Sequence, residues 1–358
     1  MLVEAVDPSD KDDFRRFYEP FHASEQAEWP DEPGWSLEEL RVRARPSSAS
    51  MLFLSVAVER PRSGGAERVL GSACLTLPTR DNLETAELSS LTVHPEHRRR
   101  GAGTVLLGHA EELARRRGRR EVIATTDEQV DRPRPSPAER FAEARGYSPA
   151  LRQARRRLAL PADPARLDRL SSLAAASTHR YAVVTWTGPC PEHLLAGRLA
   201  LGRAISTDAP HGELDLEEER WDSTRLREFE ATQDEMGRER YSAGAVETST
   251  GELVGVSELG LPRGLPAIAY QFDTVVLSSH RGHRLGLALK VAALRALTSA
   301  SPATRAVLTW NAADNGPMIA VNEALGFELV GLGTVFSRRL EAGEGSRGAA
   351  PVAPTPAG

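Results

Sequence analysis

The sequence predicts a mixed α/β protein of the α+β type, built from two tandem copies of one domain. Three observations predict it. Strand-like and helix-like segments follow the same order in both halves of the 358 residues. Landmark glycines recur at nearly one offset: Gly103 and Gly286 are 183 positions apart, and Gly146 and Gly326 are 180 apart. Each half also contains a strand, then a short basic turn with glycines, then an amphipathic helix.

The first half opens on a short strand, MLVEAV, followed by helical KDDFRRFYEPF and SLEELRVRAR. Two strands come next, MLFLSVAVER and RVLGSACLTL, joined by a loop holding Ser63-Gly64-Gly65. ETAELSSLTV is a longer strand, and TVLLGHAEELARRR is a helix with Gly118 at its C-cap. EVIATT is a buried strand, PAERFAEARGY a short helix, and RQARRRLAL a last strand. The second half repeats the order, from YAVVTWTG through the long strand AYQFDTVVL and the helix RLGLALKVAALRAL to RAVLTW, a helix ending at Gly326, and ELVGLGTVFSRRL. The expected division is a domain over 1–160, a partly helical linker over 161–178, a second domain over 179–340 and a disordered tail over 341–358. The tail is rich in Ala, Gly and Pro and has too little apolar surface to order itself. Each domain is expected to be a mostly antiparallel sheet flanked by helices, with its own final strand.

Composition narrows the function. Hydrophobic residues make up 40% and charged residues 27%, as in ordinary globular proteins. The 45 Lys and Arg against 50 Asp and Glu leave a net charge of −5, which gives no general pull toward nucleic acid or acidic lipid. Cys74 and Cys190 fall in different halves and read as small apolar residues. The N-terminus has no basic region followed by an apolar run, and no stretch approaches the ~20 apolar residues of a membrane span. A cytoplasmic location is therefore expected.

The chemistry concentrates in LSSLTVHPEHRRRGAG and FDTVVLSSHRGHRLG. A strand entering a glycine turn and then a helix makes an anion site. Glycines let backbone N–H groups converge, and the helix N-terminus adds free donors and its positive dipole end. Flanking arginines add charge-assisted bonds to phosphate. The turn does not continue into Lys-Ser/Thr, and no G-x-G-x-x-G with a following acidic residue is present.

Arg98-Arg99-Arg100-Gly101-Ala102-Gly103, after Leu91-Thr92-Val93-His94-Pro95, resembles the Arg/Gln-x-x-Gly-x-Gly/Ala motif of the GNAT N-acetyltransferase superfamily. Asn315 and Asn322-Glu323-Ala324-Leu325-Gly326-Phe327 are similar to its late Asn…Leu-Gly-Phe signature. The likeness spans nearly all of both halves. It implies acetyl-CoA as co-substrate, no metal, and direct attack by an amine in a ternary complex. It implies that Val93, Arg98 to Gly103 and Thr104 hold the CoA pyrophosphate in the first half. In the second half it implies Leu277, Arg281, Gly282, His283, Arg284, Leu285, Gly286 and Asn315. Two departures stand out. Arg284 occupies the place of the first motif glycine, bringing a side chain to the phosphate approach. The family's Tyr general acid, four positions before the late Gly, is replaced by Ala142 and Asn322.

An acceptor ammonium must lose a proton before it attacks a thioester. Glu87 and Asp273 lie on the strands before the turns and are the candidate bases, and simple alternation places Gln271 on the same face as Asp273. Glu87 also reads as an ordinary exposed strand residue. The H-x-x-H pairs His94/His97 and His280/His283 lack carboxylate or Cys partners, so no metal is expected. The Arg run from Arg115 to Arg120 sits at a helix C-terminus, a solvated end rather than an RNA site. The partner expected is a small-molecule amine, with no nucleic acid and no membrane, for a monomer or homodimer. The alternative from another class is a non-catalytic CoA-binding or regulatory protein with degenerate domains.

Overall fold

The computed structural model describes residues 1–60, 66–208 and 210–341. The predicted Ser63-Gly64-Gly65 loop and the predicted tail beyond Glu341 lie outside the described residues. In chain order the first half holds β1 (Leu2–Val6), α1 (Lys11–Glu28), α2 (Leu37–Arg43), β2 (Ser50–Glu59), β3 (Arg68–Pro78), β4 (Thr85–Val93), α3 (Ala102–Arg116), β5 (Glu121–Gln129), α4 (Pro137–Glu143) and β6 (Ser148–Ala159). Next comes α5 (Pro164–Ala175), within the stretch read as a linker. The second half holds β7 (Tyr181–Thr187), α6 (Leu195–Asp208), α7 (Ser223–Glu235), β8 (Arg238–Glu247), β9 (Leu253–Pro262), β10 (Ile268–Val276), α8 (Leu285–Ala300), β11 (Ala306–Ala312), α9 (Gly316–Leu325) and β12 (Glu328–Arg339).

Local chemistry fixes several boundaries. Ser36 and Ser136 begin α2 and α4 with capping boxes, each Ser paired with a Glu three residues on. Gly326 ends α9 in the left-handed region at φ 98°. The helix α5 begins at the Asp163 cap and packs its Leu167 and Ala174 into the same core as α8.

The strands form one continuous sheet in the order β1-β2-β3-β4-β5-β12-β6-β11-β10-β9-β8-β7. All its neighbours run antiparallel except β4–β5 and β10–β11. The expectation that each half keeps its own final strand is overturned. β6 leaves the first half and pairs with β11, from Ala306↔Ala159 to Ala312↔Gln153. β12 returns to the first half and pairs with β5, from Gly331↔Gln129 to Arg339↔Glu121. The exchanged strands pair with each other at the centre. Side chains follow the exchange: Phe336 and Leu340 join the first-half core, while Leu158 and Leu160 join the second.

The physical reason lies in strand edges. Without β12, β5 would expose a full row of backbone donors and acceptors, and β11 would do so without β6. Either half alone is thus an unfinished sheet. A second tie crosses the centre. Arg155 of β6 lies between the rings of Trp29 and Trp310, 3.6 and 4.8 Å from their centroids. Its guanidinium donates to Asp127 Oδ2 at 2.7 Å and to Glu32, and Trp310 Nε1 donates to the same Asp127 oxygen at 3.2 Å.

Cutting the backbone between Ala176 and His179 should therefore leave the two fragments as a folded one-to-one complex in gel filtration, separable only by denaturant. Two separately eluting, cooperatively melting fragments would contradict the exchange. Phe336→Ala should cost about 3–5 kcal/mol in denaturant unfolding, as for a fully buried Phe, although Phe336 comes from the far end of the sequence.

Candidate active site

Two clefts are built by the same rule. In each half the parallel strand pair holds together for a few residues and then separates. β4 and β5 pair only from Thr85↔Glu121 to Leu88↔Ala124. β10 and β11 pair only from Ile268↔Ala306 to Tyr270↔Leu308. A register irregularity marks the point of divergence, opposite Cys74/Leu75 in the first half and between Gln271 and Thr274 in the second. Such bulges bend a strand and re-aim its side chains.

The turn after each wedge has the same backbone. Residues in the left-handed region stand at equivalent places: Arg99 (φ 66°) and Gly101 (φ 89°) in one, Gly282 (φ 84°) and Arg284 (φ 54°) in the other. Each turn thus carries one glycine and one strained arginine, with the two roles exchanged. Gly101 and Arg284 are the N-caps of α3 and α8, with no side-chain hydrogen bond to the helix. The first amides of both helices therefore remain for an anion. The Arg284 side chain does not narrow that approach: its Nη1 donates to Ser177 Oγ at 3.2 Å and to the Leu173 carbonyl at 3.4 Å, beside the end of α5.

The predicted cofactor residues divide by what they touch. Arg98 and Arg281 act as matched clips. Arg98 Nε donates to the Val93 carbonyl at 3.3 Å, and its Nη atoms reach Glu28 and Ser24 of α1. Arg281 Nε donates to the Val276 carbonyl at 3.1 Å, and Nη2 reaches Asp208 of α6 at 2.6 Å. These guanidiniums shape the turns. Arg99 and Arg100 are exposed, as are Gly101, Thr104 and Gly282. Thr104 Oγ1 accepts from Arg145 at 2.6 Å. His283 lies against Tyr181, with ring centroids 5.6 Å apart. Ala102 and Leu285 are buried and anchor the two helices, and Leu277 packs against the second-half core. Asn315 caps α9, accepting from the Met318 amide at 3.2 Å.

The two candidate bases have different surroundings. Glu87 lies in the paired part of β4, opposite Thr76, and is exposed. Asp273 sits at the bulge, where β10 leaves β11. The bulge also overturns the shared face expected for Gln271. Gln271 donates to Ser257 Oγ and to the Glu258 carbonyl, while Asp273 faces the Arg198–Glu258 pair across the sheet. Solvent reaches the Asp273 side chain from the open groove, but protein encloses it on the remaining sides. Burial, reinforced by the charge of Glu258 and opposed by Arg198, pushes its carboxyl up to about 6. Arg198 of α6 holds Glu258 Oε2 at 2.6 Å, and Ser242 donates to Glu258 Oε1 at 3.2 Å. This buried network fixes the negative neighbour that acts on Asp273.

On the opposite face, Lys290 of α8 is buried and donates to Asn322 Oδ1 at 2.9 Å. Asn322 Nδ2 donates to Asn311 Oδ1 at 3.3 Å, and Asn311 lines β11 beyond the last rung. Sequence reading passed over Lys290 and the Arg198–Glu258 pair. A single Lys inside the apolar run LGLALKVAALRAL was the available signal. Both thiols are buried and pushed up to about 11, which suits packing rather than nucleophilic chemistry. Much of the Arg115–Arg120 run is tied to its own fold, through Glu112, Glu84 and the Leu83 and Pro78 carbonyls. Among the described residues no group of three His, Cys, Asp or Glu side chains is placed to hold a metal, and no helix is long and apolar enough to cross a membrane.

Comparison with known proteins agrees with this geometry. Residues 12–147 match the model of the Acetyltransferase (GNAT) family. A solved tandem GNAT protein from the clavulanic acid biosynthesis pathway is 30% identical; the match covers 96% of this chain and 100% of that one, with a TM-score of 0.72. A GCN5-related N-acetyltransferase from Sphaerobacter thermophilus, 18% identical, shares the fold over 94% of this chain and 95% of its own, with a TM-score of 0.61. A putative acetyltransferase from Pyrococcus horikoshii, 13% identical, does so over 95% and 90%, with a TM-score of 0.53. No curated protein sequence matches. The chain belongs to the GNAT family: it is an acyltransferase of tandem layout, with a fold that binds acyl-CoA.

A Cβ added at Gly103 or Gly286 would meet only ordinary contacts, at 3.6 Å or beyond. Gly103→Glu and Gly286→Glu should therefore fold, each placing a carboxylate at one anion site. Calorimetry with CoA should show the stoichiometry fall from two to one for either change. An unchanged stoichiometry in both variants would show that the turns are not where CoA binds.

Proposed function

We propose that the protein transfers an acetyl group from acetyl-CoA to an amine, a primary amine of a small molecule, and that turnover belongs to the second-half cleft. The observation that carries this reading is Asp273, an accessible carboxylate at the bulge of the wedge. With its carboxyl pushed up to about 6, it is ionised near neutral pH yet basic enough to accept a proton. The first half has Ser90 at the equivalent place and keeps its anion turn, which suits cofactor binding without turnover.

In the reaction proposed, the pyrophosphate of CoA lies on the amides at the start of α8, and the arm enters the wedge between β10 and β11. Asp273 takes a proton from the substrate ammonium. The amine lone pair then forms the C–N bond, and the C–S bond breaks with its electrons leaving on sulfur. The free amides along the splayed edge of β10 are the natural donors to the carbonyl oxygen as charge develops there. The tandem relative at 30% identity works in clavulanic acid biosynthesis, which favours a small-molecule acceptor.

The test is thiol release from acetyl-CoA against a panel of small primary amines. Activity should appear without added metal, and kcat/KM should rise with pH through a limb near 6. Asp273→Asn should lower kcat by two orders of magnitude or more and abolish that limb. Stability should move the opposite way. The folded-state value lies above the ordinary carboxylate value, so ionising Asp273 costs the folded protein. That cost is absent below the ordinary value and complete above about pH 6. Asp273→Asn should therefore raise the melting temperature at pH 8 and leave it unchanged at pH 3. Wild-type turnover in Asp273→Asn would refute the assignment of the base.

A further inference from the structure

Lys290 is only 3% exposed, and among the described residues no carboxylate pairs with it. The nearest carboxylate on α9, Glu323, faces Arg156 instead, at 3.7 Å. Lys290 rests over the Phe327 ring at 5.3 Å and, among the described residues, makes one hydrogen bond, to Asn322. A buried ammonium without a counter-charge is costly. Burial alone accounts for its proton being held weakly, with a value lowered to about 7.

The charged form of Lys290 sets the sense of its hydrogen bond. As an ammonium it only donates, so Asn322 turns its carbonyl oxygen inward and its NH2 outward. Asn311 must then present its own oxygen to Asn322, which leaves its NH2 beside the Ala312 carbonyl, 2.8 Å away, with a second N–H to spare. Two amide dipoles are thus aligned, positive end outward, between Lys290 and β11. They arrive at a specific place. β10 and β11 stop pairing at Tyr270↔Leu308. Asp273 and Asn311 each stand three residues past that rung, on facing walls of the wedge. Asp273 looks to the α6–α7 face, and Asn311 looks to the face covered by α8 and α9. The half without the proposed turnover lacks the device. At the offset of 183 shared by the turns, Lys290 corresponds to Leu107, and the rungs Thr85↔Glu121 and Ile268↔Ala306 bring Thr126 to the place of Asn311.

We propose that Lys290 is a positioning residue for the leaving group: through Asn322 and Asn311 it directs positive potential into the wedge and stabilises the CoA thiolate that departs when the C–S bond breaks. The inference rests on the second-half reading above. It places a stabiliser for the leaving sulfur on one face of the wedge, opposite the base for the amine on the other. It also accounts for an Asn at 322, where the family resemblance leads one to expect a Tyr acid.

The experiment uses the full chain with CoA and with desulfo-CoA, which lacks the sulfur. Lys290→Met keeps the volume and removes the amine; Asn311→Leu breaks the chain of amides and leaves Lys290 in place. The thiolate absorbance of bound CoA should appear at a pH at least about one unit lower in wild type than in either variant. Desulfo-CoA should bind all three proteins within about twofold. With acetyl-CoA, kcat should fall tenfold or more in both variants with KM little changed. Equal thiol ionisation and equal kcat in wild type and variants would overturn the inference, as would a matched loss of CoA and desulfo-CoA binding, which marks a structural role alone. If neither CoA nor desulfo-CoA binds the second half of the wild-type protein, the reading of that cleft falls, and this inference with it.

Discussion

The antiparallel pairing of β6 with β12 is the constraint on which the rest of the molecule depends. Each strand completes the sheet of the half it does not follow in sequence. A duplicated domain could have remained two separate bodies. Here the second wall of each wedge, β5 or β11, is backed by a strand from the other half. The wedges can separate from β4 and β10 without exposing a raw edge, because their other side is paired along its length. An open cleft in the middle of a sheet is stable only if something holds the far wall, and the exchange does so.

The centre is also where charge is most carefully arranged. Arg155 is held between two tryptophans and two carboxylates, and Arg238 lies 4.1 Å from the Trp35 ring while donating to Glu39 at 3.1 Å. Trp29, Glu32, Trp35 and Glu39 come from the first half, whereas Arg238 and Trp310 come from the second. These pairs are buried, and a buried ion pair is not in itself a strong source of stability. Its directional character makes the relative placement of the halves unique. Trp310 stacks on Tyr270 with centroids 6.3 Å apart, so the wall of the second cleft is held by first-half groups through a short path.

Much of this was legible in the sequence, because the signals were local or repeated. The order of elements, the two basic turns and the duplicated layout follow from periodicity and from glycine spacing, and Asp273 followed from its place on the strand before the turn. Three features were not legible. The strand exchange leaves no local trace, since β6 and β12 carry the same kind of pattern whichever sheet they join. The bulge at Phe272 and Asp273 defeated simple alternation, which assumes an unbroken register. The motif arginines Arg98 and Arg281 look like phosphate ligands by composition, but a strand-end carbonyl and a helix carboxylate claim them first.

We assign transfer to the second-half wedge, with Asp273 and Asn311 on its two walls. A crystal structure of the protein with CoA tests it most directly. Pyrophosphate density is expected on the amides at the start of α8, with the sulfur in the wedge between β10 and β11, past Tyr270 and Leu308. Density confined to the first-half turn, with the second wedge closed to the pantetheine arm, would contradict it.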